Sequence, residues 1–408
     1  MSAHAGNANA AHVDAADVDA ANVDAENLNP VITAPVPADT PLPCPPCLPR
    51  LPEDASVREL MRPFARLLDD PGVTELVINR PQRVLTETRL GWQAHECPEL
   101  DFERLMSFSV AIATLTSQAV SAQHPILSAL LPGDARIQIV IPPVVPSHTV
   151  SVTIRRPSSC EKTLEDCERE GLFAQTVWQR PECLDERLDE TLSRLRPLER
   201  QLIADLEARG FPAFFGHAVR ARLNVAIVGN TGSGKTSFMK TLCRYIPATE
   251  RIVTIEDVRE LFIGQVENCV HLVYSKGGHG HARVTPAELI ASAMRMRPDR
   301  VLLAELRGSE AYDFLKLLTT GHAGSITSYH ASNASVAIER FALMAREHRE
   351  AAMWDHAALR RLLFMTLDVV AHMQAVATFD AAGEQTGRRW SMTELWFDPS
   401  RRYRADFQ

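Results

Sequence analysis

The chain has 408 residues, 45% hydrophobic and 23% charged, enough for two or three domains with a sizeable buried core. Its 43 basic and 51 acidic residues give a net charge of −8, and the first 49 residues hold six of the acids with no Lys or Arg. The remainder is close to neutral, which argues against broad neutralisation of duplex DNA; no apolar run reaches the ~20 residues of a membrane span, and the amino terminus lacks the basic and apolar regions of a secretory signal.

The amino-terminal stretch repeats at period five (VDAAD, VDAAN, VDAEN), which fits neither a helix face nor a strand. A proline-rich segment follows, so residues 1–53 are expected to form a disordered tail. Within it Cys44 and Cys47 form a C-x-x-C with no second pair and no His partner. Prolines flank the pair and deny it a thiolate-stabilising helix start, so the eight cysteines are expected to be incidental thiols.

Composition turns globular near Ala55. Apolar spacing predicts a helix over 57–68, then strands over 73–79, 84–89 and 91–96 separated by turn residues, as in an antiparallel meander. Helical spacing returns over 101–119, and ARIQIVIPP and TVSVTIRRP read as further strands. Residues 54–173 are thus expected to form a small α+β domain, and the charged, helical 174–208 a linker. From 209 to 408, apolar strands (NVAIV, IVTIE, VHLVY, VLLAE, SITSYH) alternate with helices following Gly234, Pro286, Ser309 and Ala334. That pattern predicts a doubly wound α/β domain with a mostly parallel sheet.

Between NVAIV and a predicted helix lies Gly229-Asn230-Thr231-Gly232-Ser233-Gly234-Lys235-Thr236, followed by Ser237; it matches G-x-x-x-x-G-K-[ST] at every fixed position. Glycines let backbone N–H groups turn inward around phosphate oxygens, and the helix amino terminus adds positive potential. Lys235 would offset β- and γ-phosphate charge while the Thr236 hydroxyl ligates Mg²⁺. Three other strands deliver Glu256-Asp257, Glu305 and His330 to the carboxyl edge of the sheet, where ligands of open α/β sheets sit. Carboxylates there can hold Mg²⁺ and its water shell or take a proton from attacking water. Glu305 is the stronger candidate because an apolar strand aims it, with Arg307 as its ion-pair partner.

The segments GNTGSGKTS, TIEDVREL, RMRPDRVLLAELRGSEAYDFL and TGHAGSITSYHA closely resemble traffic ATPases of type IV secretion systems, the VirB-eleven group of secretion-superfamily NTPases. DPGVTELVINRP, GWQAHE, PILSALLPGDARIQIVIPP and TVSVTIRRPS resemble that family's amino-terminal domain, so the likeness covers about 55–400. It implies a RecA-like P-loop NTPase domain beside a smaller α+β domain. It also implies a homo-hexamer hydrolysing ATP with Mg²⁺ at the cytoplasmic face of the inner membrane. Partners would be other secretion components and a protein or protein–DNA cargo, with no stable sequence-specific nucleic-acid binding. Glu305 would polarise water, Glu256 assist at the metal or the water, and His330 sense the γ-phosphate. Arg155 and Arg136, on polar strand faces of the first domain, would reach over the nucleotide, Arg156 being the alternative to Arg155. Ala323 stands where the family commonly has Pro. A nucleic-acid motor would want aromatic platforms and a basic channel, but aromatics are only 6%. An ATP-gated scaffold with little turnover would not need Lys235, Thr236 and Glu305 together.

Overall fold

The chain is described by a computed structural model over residues 52–88, 90–156, 162–181, 192–274, 284–379, 383 and 385–403. The repeat tail, Cys44, Cys47 and residues 182–191 of the expected linker lie outside these.

Two sheets organise the described residues. The first is built by α1 (Ala55–Asp69), β1 (Glu75–Arg80), β2 (Arg83–Thr88), β3 (Gly91–Glu96), α2 (Phe102–Leu115), β4 (Ile126–Leu130), β5 (Arg136–Val140) and β6 (Ser151–Arg155). Its strands run antiparallel in the order β3-β2-β1-β6-β5-β4. Period-two alternation explains it: Leu76, Ile78, Ile137, Ile139, Val152 and Ile154 point inward against α1 and α2, where Phe64 meets Phe108 edge-on at 5.6 Å. Asp101 caps α2 by accepting from the Arg104 amide at 2.7 Å.

The second sheet follows from α3 (Leu164–Arg169), β7 (Val177–Gln179), α4 (Pro197–Glu207), α5 (Phe211–Arg220), β8 (Val225–Gly229), α6 (Lys235–Cys243), β9 (Ile252–Glu256) and β10 (Cys269–Val273). It continues through α7 (Pro286–Ala293), β11 (Arg300–Leu303), α8 (Glu310–Thr319), β12 (Ile326–Tyr329), α9 (Ala334–Arg346), α10 (His356–Thr366), β13 (Val369–Phe379) and β14 (Gln385–Phe397). Eight strands run in the order β10-β9-β11-β12-β8-β13-β14-β7, parallel except where β13 meets β14. Strands β8, β9, β11 and β12 are buried at every residue. Ile227, Ile252, Leu302 and Ile326 pack toward α4, α5 and α6; Val228, Val253, Leu303 and Tyr329 pack toward α8, α9 and α10. Two covered faces are the reason these strands read as unbroken apolar runs.

The α/β class with a smaller α+β sheet is the architecture expected from the sequence. The 174–208 stretch does more than connect: β7 adds to the edge of the second sheet, and Leu202, Ile203 and Leu206 of α4 enter its core, as do Leu164 and Cys167 of α3.

Asn224, just before β8, ties three strands at their starts. Its Oδ1 accepts from the amides of Gly324 and Ser325 at 2.9 and 3.1 Å, and its carbonyl accepts from Asp368 and Val369, both at 3.0 Å. Its Nδ2 donates to Thr366 O at 2.7 Å and its amide to the Asp368 carboxylate at 2.9 Å. The turn at Ala323 is held by these bonds without the proline expected there.

Candidate active site

The P-loop links β8 to α6. Gly229 has φ +148°, and a Cβ there would lie 2.0 Å from Met373 O, so only glycine fits beside β13. Lys235 and Thr236 begin α6, whose first-turn amides have no partner within the helix. The buried Lys235 ammonium folds back on the loop, donating to Gly229 O and Asn230 O, both at 2.9 Å. Burial pulls its pKa down to about 8; Glu305 opposes that shift and the positive charge of Arg155 adds to it. Ser233 Oγ is buried without a hydrogen-bond partner at the same loop. A buried ammonium satisfied only by carbonyls, an orphaned hydroxyl and free helix-terminal amides together fit an anionic phosphate group. Thr236 and Ser237 are half-buried alongside.

Glu305 stands just beyond β11, and the structure brings it to His330 and to the P-loop. His330 Nε2 lies 2.9 Å from Glu305 Oε1, and His330 Nδ1 lies 3.1 Å from Gly229 O. A carbonyl only accepts, so the hydrogen bond to Gly229 places a proton on Nδ1. A second proton, on Nε2 or on the carboxyl, then completes the contact with Glu305. The Gly229 carbonyl is therefore shared by Lys235 and His330. Burial raises the Glu305 carboxyl above its ordinary range, with His330 opposing. Arg307 holds the other oxygen, Nε to Oε2 at 2.9 Å, as expected of an ion-pair partner.

The chain of charges continues into the first sheet. Arg307 Nη2 lies 3.2 Å from Asp257 Oδ2, and Arg136 Nη2 reaches the same oxygen at 3.1 Å while its Nη1 donates to Glu260 Oε1 at 2.5 Å. Arg136, expected over a nucleotide, is thus held by two carboxylates of the loop after β9. Its cross-strand neighbour Arg155 is half-exposed, only 3.8 Å from Glu75 Oε1, and close enough to depress the pKa of both Lys235 and Lys240. Arg156, the alternative to Arg155, is turned away and donates to Asp70 O.

Glu256, expected at the metal or the water, ends β9 with its carboxylate turned inward. It is fully buried; Oε1 accepts from Thr254 Oγ1 at 2.9 Å, and Oε2 from the amides of Glu260 and Leu261 at 2.8 and 2.9 Å. Oε2 shapes the 257–261 turn that presents Asp257 and Glu260 to Arg136, while Oε1 is taken up by Thr254 on its own strand. A Glu-Asp pair at a strand end does not reveal which member turns inward. Beside Glu305, a cavity of about 510 Å³ is lined by Arg307, His330, Arg340 and Met344. Among the described residues, no group of three or more His, Cys, Asp or Glu side chains is arranged to hold a metal ion by itself. Sequence reasoning passed over Trp390, whose indole Nε1 donates to Gly232 O at 3.2 Å. The available signal was two long apolar-alternating runs around Gly383, a hairpin pattern.

A family model described as "Type II/IV secretion system protein" matches residues 197–395. The type IV secretion system protein VirB11 of Brucella suis biovar 1 (strain 1330) is 41% identical over 348 residues, 85% of this chain and 91% of that protein. Among solved structures, the VirB11 ATPase from the Brucella suis type IV secretion system, crystallised with sulphate, is 41% identical. It covers 85% of this chain and 98% of that one at a TM-score of 0.45, and the identity, not the superposition, carries the relation. The Legionella pneumophila ATPase DotB, 15% identical, covers 84% of this chain and 82% of its own at a TM-score of 0.51, a likeness of fold alone.

Proposed function

The chain belongs to the VirB11 family of type IV secretion ATPases, and from that premise we propose how its own residues bind and hydrolyse ATP. One observation carries the reading: the Gly229 carbonyl joins Lys235 to His330, and His330 touches Glu305. Phosphate loop and catalytic carboxylate are one connected unit. Gly229–Ser237 cradle the phosphates and Lys235 offsets their charge; the Thr236 hydroxyl would hold Mg²⁺, which would supply further charge compensation to the phosphates. Glu305 orients the attacking water and accepts its proton as the water oxygen bonds to phosphorus and ADP leaves. A raised carboxyl pKa suits a base working near neutrality. His330 reports to the loop whether Glu305 has gained that proton. Arg155 lies over the phosphates, and Arg136 acts on them only through Asp257 and Arg307.

In this reading residues 54–156 act as the amino-terminal domain, and the ATPase domain takes in α3, β7 and α4, which are built into its core and sheet edge, together with 209–408. Six copies form a ring at the cytoplasmic face of the inner membrane, where domain movement on hydrolysis serves other secretion components and their cargo. Among the described residues no helix is long and apolar enough to cross a membrane, in keeping with a peripheral position. The deciding experiment is steady-state phosphate release with parallel ADP calorimetry. Glu305→Gln should bind ADP like the wild type and turn over about 10²–10⁴-fold more slowly; Lys235→Ala should lose both. Wild-type turnover in a folded Glu305→Gln protein would remove the carboxylate from the chemistry.

A further inference from the structure

β13 pairs with β8 only as far as Met373 opposite Gly229, then runs on to Phe379, so the β13–β14 hairpin projects past the end of β8 and over the P-loop. On β14, Trp390 sits opposite Ala375 and shares a strand face with Met392, which is buried in the core on the α6 side. The indole therefore hangs where the loop enters α6. A Cβ at Gly234 would lie 2.6–3.0 Å from Cδ2, Cγ and Cε2 of the indole, so the ring rests flat on that glycine. At the same time Nε1 donates to Gly232 O at 3.2 Å. Above the ring, Lys162 Nζ stands 5.4 Å from its centroid, itself held by an ion pair with Glu170.

From this we infer that Trp390 is a positioning residue that braces the phosphate loop from outside. The step from contact to effect is peptide geometry. In a trans peptide the carbonyl of one residue and the amide of the next point in opposite directions. Tying Gly232 O to the indole therefore aims the Ser233 N–H away from Trp390 and into the loop, where it lies 3.3 Å from Asn230 O. Ring contact on Gly234 fixes the next turn of the backbone, at φ +87°, just before Lys235. One side chain thus sets two consecutive elements of a cradle made of backbone donors, and Lys162 holds that side chain in place. The ligand whose binding it controls is the diphosphate portion of the nucleotide, not the base.

The inference rests on the nucleotide site proposed above, and the test separates the two. Isothermal calorimetry on the full-length chain would measure Kd for ADP and for inorganic pyrophosphate, alongside kcat and KM for ATP. Trp390→Ala should raise both dissociation constants about tenfold, the scale of one lost hydrogen bond and its ordering effect, while kcat at saturating ATP changes less than about twofold. Trp390→Phe, which keeps a ring on Gly234 but lacks the N–H, should fall between. It also serves if the alanine variant fails to fold. Unchanged affinity for both ligands in folded Trp390→Ala and Trp390→Phe overturns the brace. Weakened ADP with unchanged pyrophosphate overturns it in favour of a platform for the base. If wild-type chain binds neither ligand, or Lys235→Ala binds them as well as wild type, the nucleotide site itself is misplaced and the brace goes with it.

Discussion

The two sheets solve opposite problems with the same strand geometry. In the first, burial alternates residue by residue, as in β5 and β6, so every second side chain remains available at the surface. In the second, β8, β9, β11 and β12 are buried throughout, and polar chemistry is pushed to the strand ends. Glu305, His330 and the P-loop all lie at such ends. The first sheet offers charges along its faces, Arg136 and Arg155 side by side across β5 and β6. A sheet covered on both faces therefore concentrates function at one edge, whereas a half-covered sheet can meet that edge with a row of cations.

Four measurements would break or sharpen this contrast. Leu302 on β11 is fully buried between two layers, so Leu302→Ala should cost about 2–5 kcal/mol in denaturant unfolding. Gln93, exposed on β3, should stay within about 0.5 kcal/mol on change to Ala. Equal losses would mean the two sheets are not differently built.

Next in size is Glu256→Gln. An amide cannot accept from Thr254 and two backbone amides as the carboxylate does, so the 257–261 turn should lose about 1–3 kcal/mol of support. Phosphate release should fall far less than in Glu305→Gln; a matching loss would return Glu256 to the chemistry.

The third concerns pH. Lys235 titrates near 8 in the folded chain, below its ordinary value, because burial disfavours its charge. Phosphate holds the proton on, so binding above pH 8 requires proton uptake. ADP affinity should fall between pH 8 and 10, by at most about tenfold per unit, and be flat below pH 7. For folding the sign is opposite: over the same interval the unfolded chain binds more protons at this site, so its contribution to stability rises with pH. An ADP affinity independent of pH from 7 to 10 would show that Lys235 is not the titrating contact.

The smallest effect belongs to Arg155→Ala. Its half-exposed pair with Glu75 should contribute no more than about 1 kcal/mol to stability. Removing its charge from beside Lys235 should nonetheless move the midpoint of the pH-dependent loss upward and raise KM for ATP. An unmoved midpoint would place Arg155 too far away to matter.

The legible parts of the site were those where one strand meets one motif. Glycines, a lysine and a threonine at fixed spacing after NVAIV identify a P-loop by mechanism alone, and VLLAE aims Glu305 because nothing but apolar burial precedes it. Two kinds of information were missing. Choosing between Glu256 and Asp257 needs the backbone turn that follows, since whichever residue faces the turn's amides is used up by them. Trp390 acts on a loop that lies 158 positions away in sequence, and only the β8–β13 register places it there. Likewise α4 reads as charged on its own, and its buried face becomes meaningful only beside α5. Strand alternation puts Arg136 on the polar face of β5, but it could not say that Asp257 and Glu260 would hold it.

Asn224 gives the active edge a common origin of measurement. β8, β12 and β13 all start from its hydrogen bonds, and strands advance about 3.3 Å per residue. Five residues carry β8 from Asn224 to Gly229, and five carry β12 from Ser325 to His330. The offset of His330 from Gly229 along the strands is therefore the small difference between two nearly equal lengths laid off from one point, and His330 Nδ1 spans the sideways gap between the paired strands to reach Gly229 O at 3.1 Å. Any stretching shared by both strands cancels in that difference. An error at the origin does not cancel, so a side-chain amide at the far end of the sheet bears on how Glu305, through His330, is aligned with the phosphate loop.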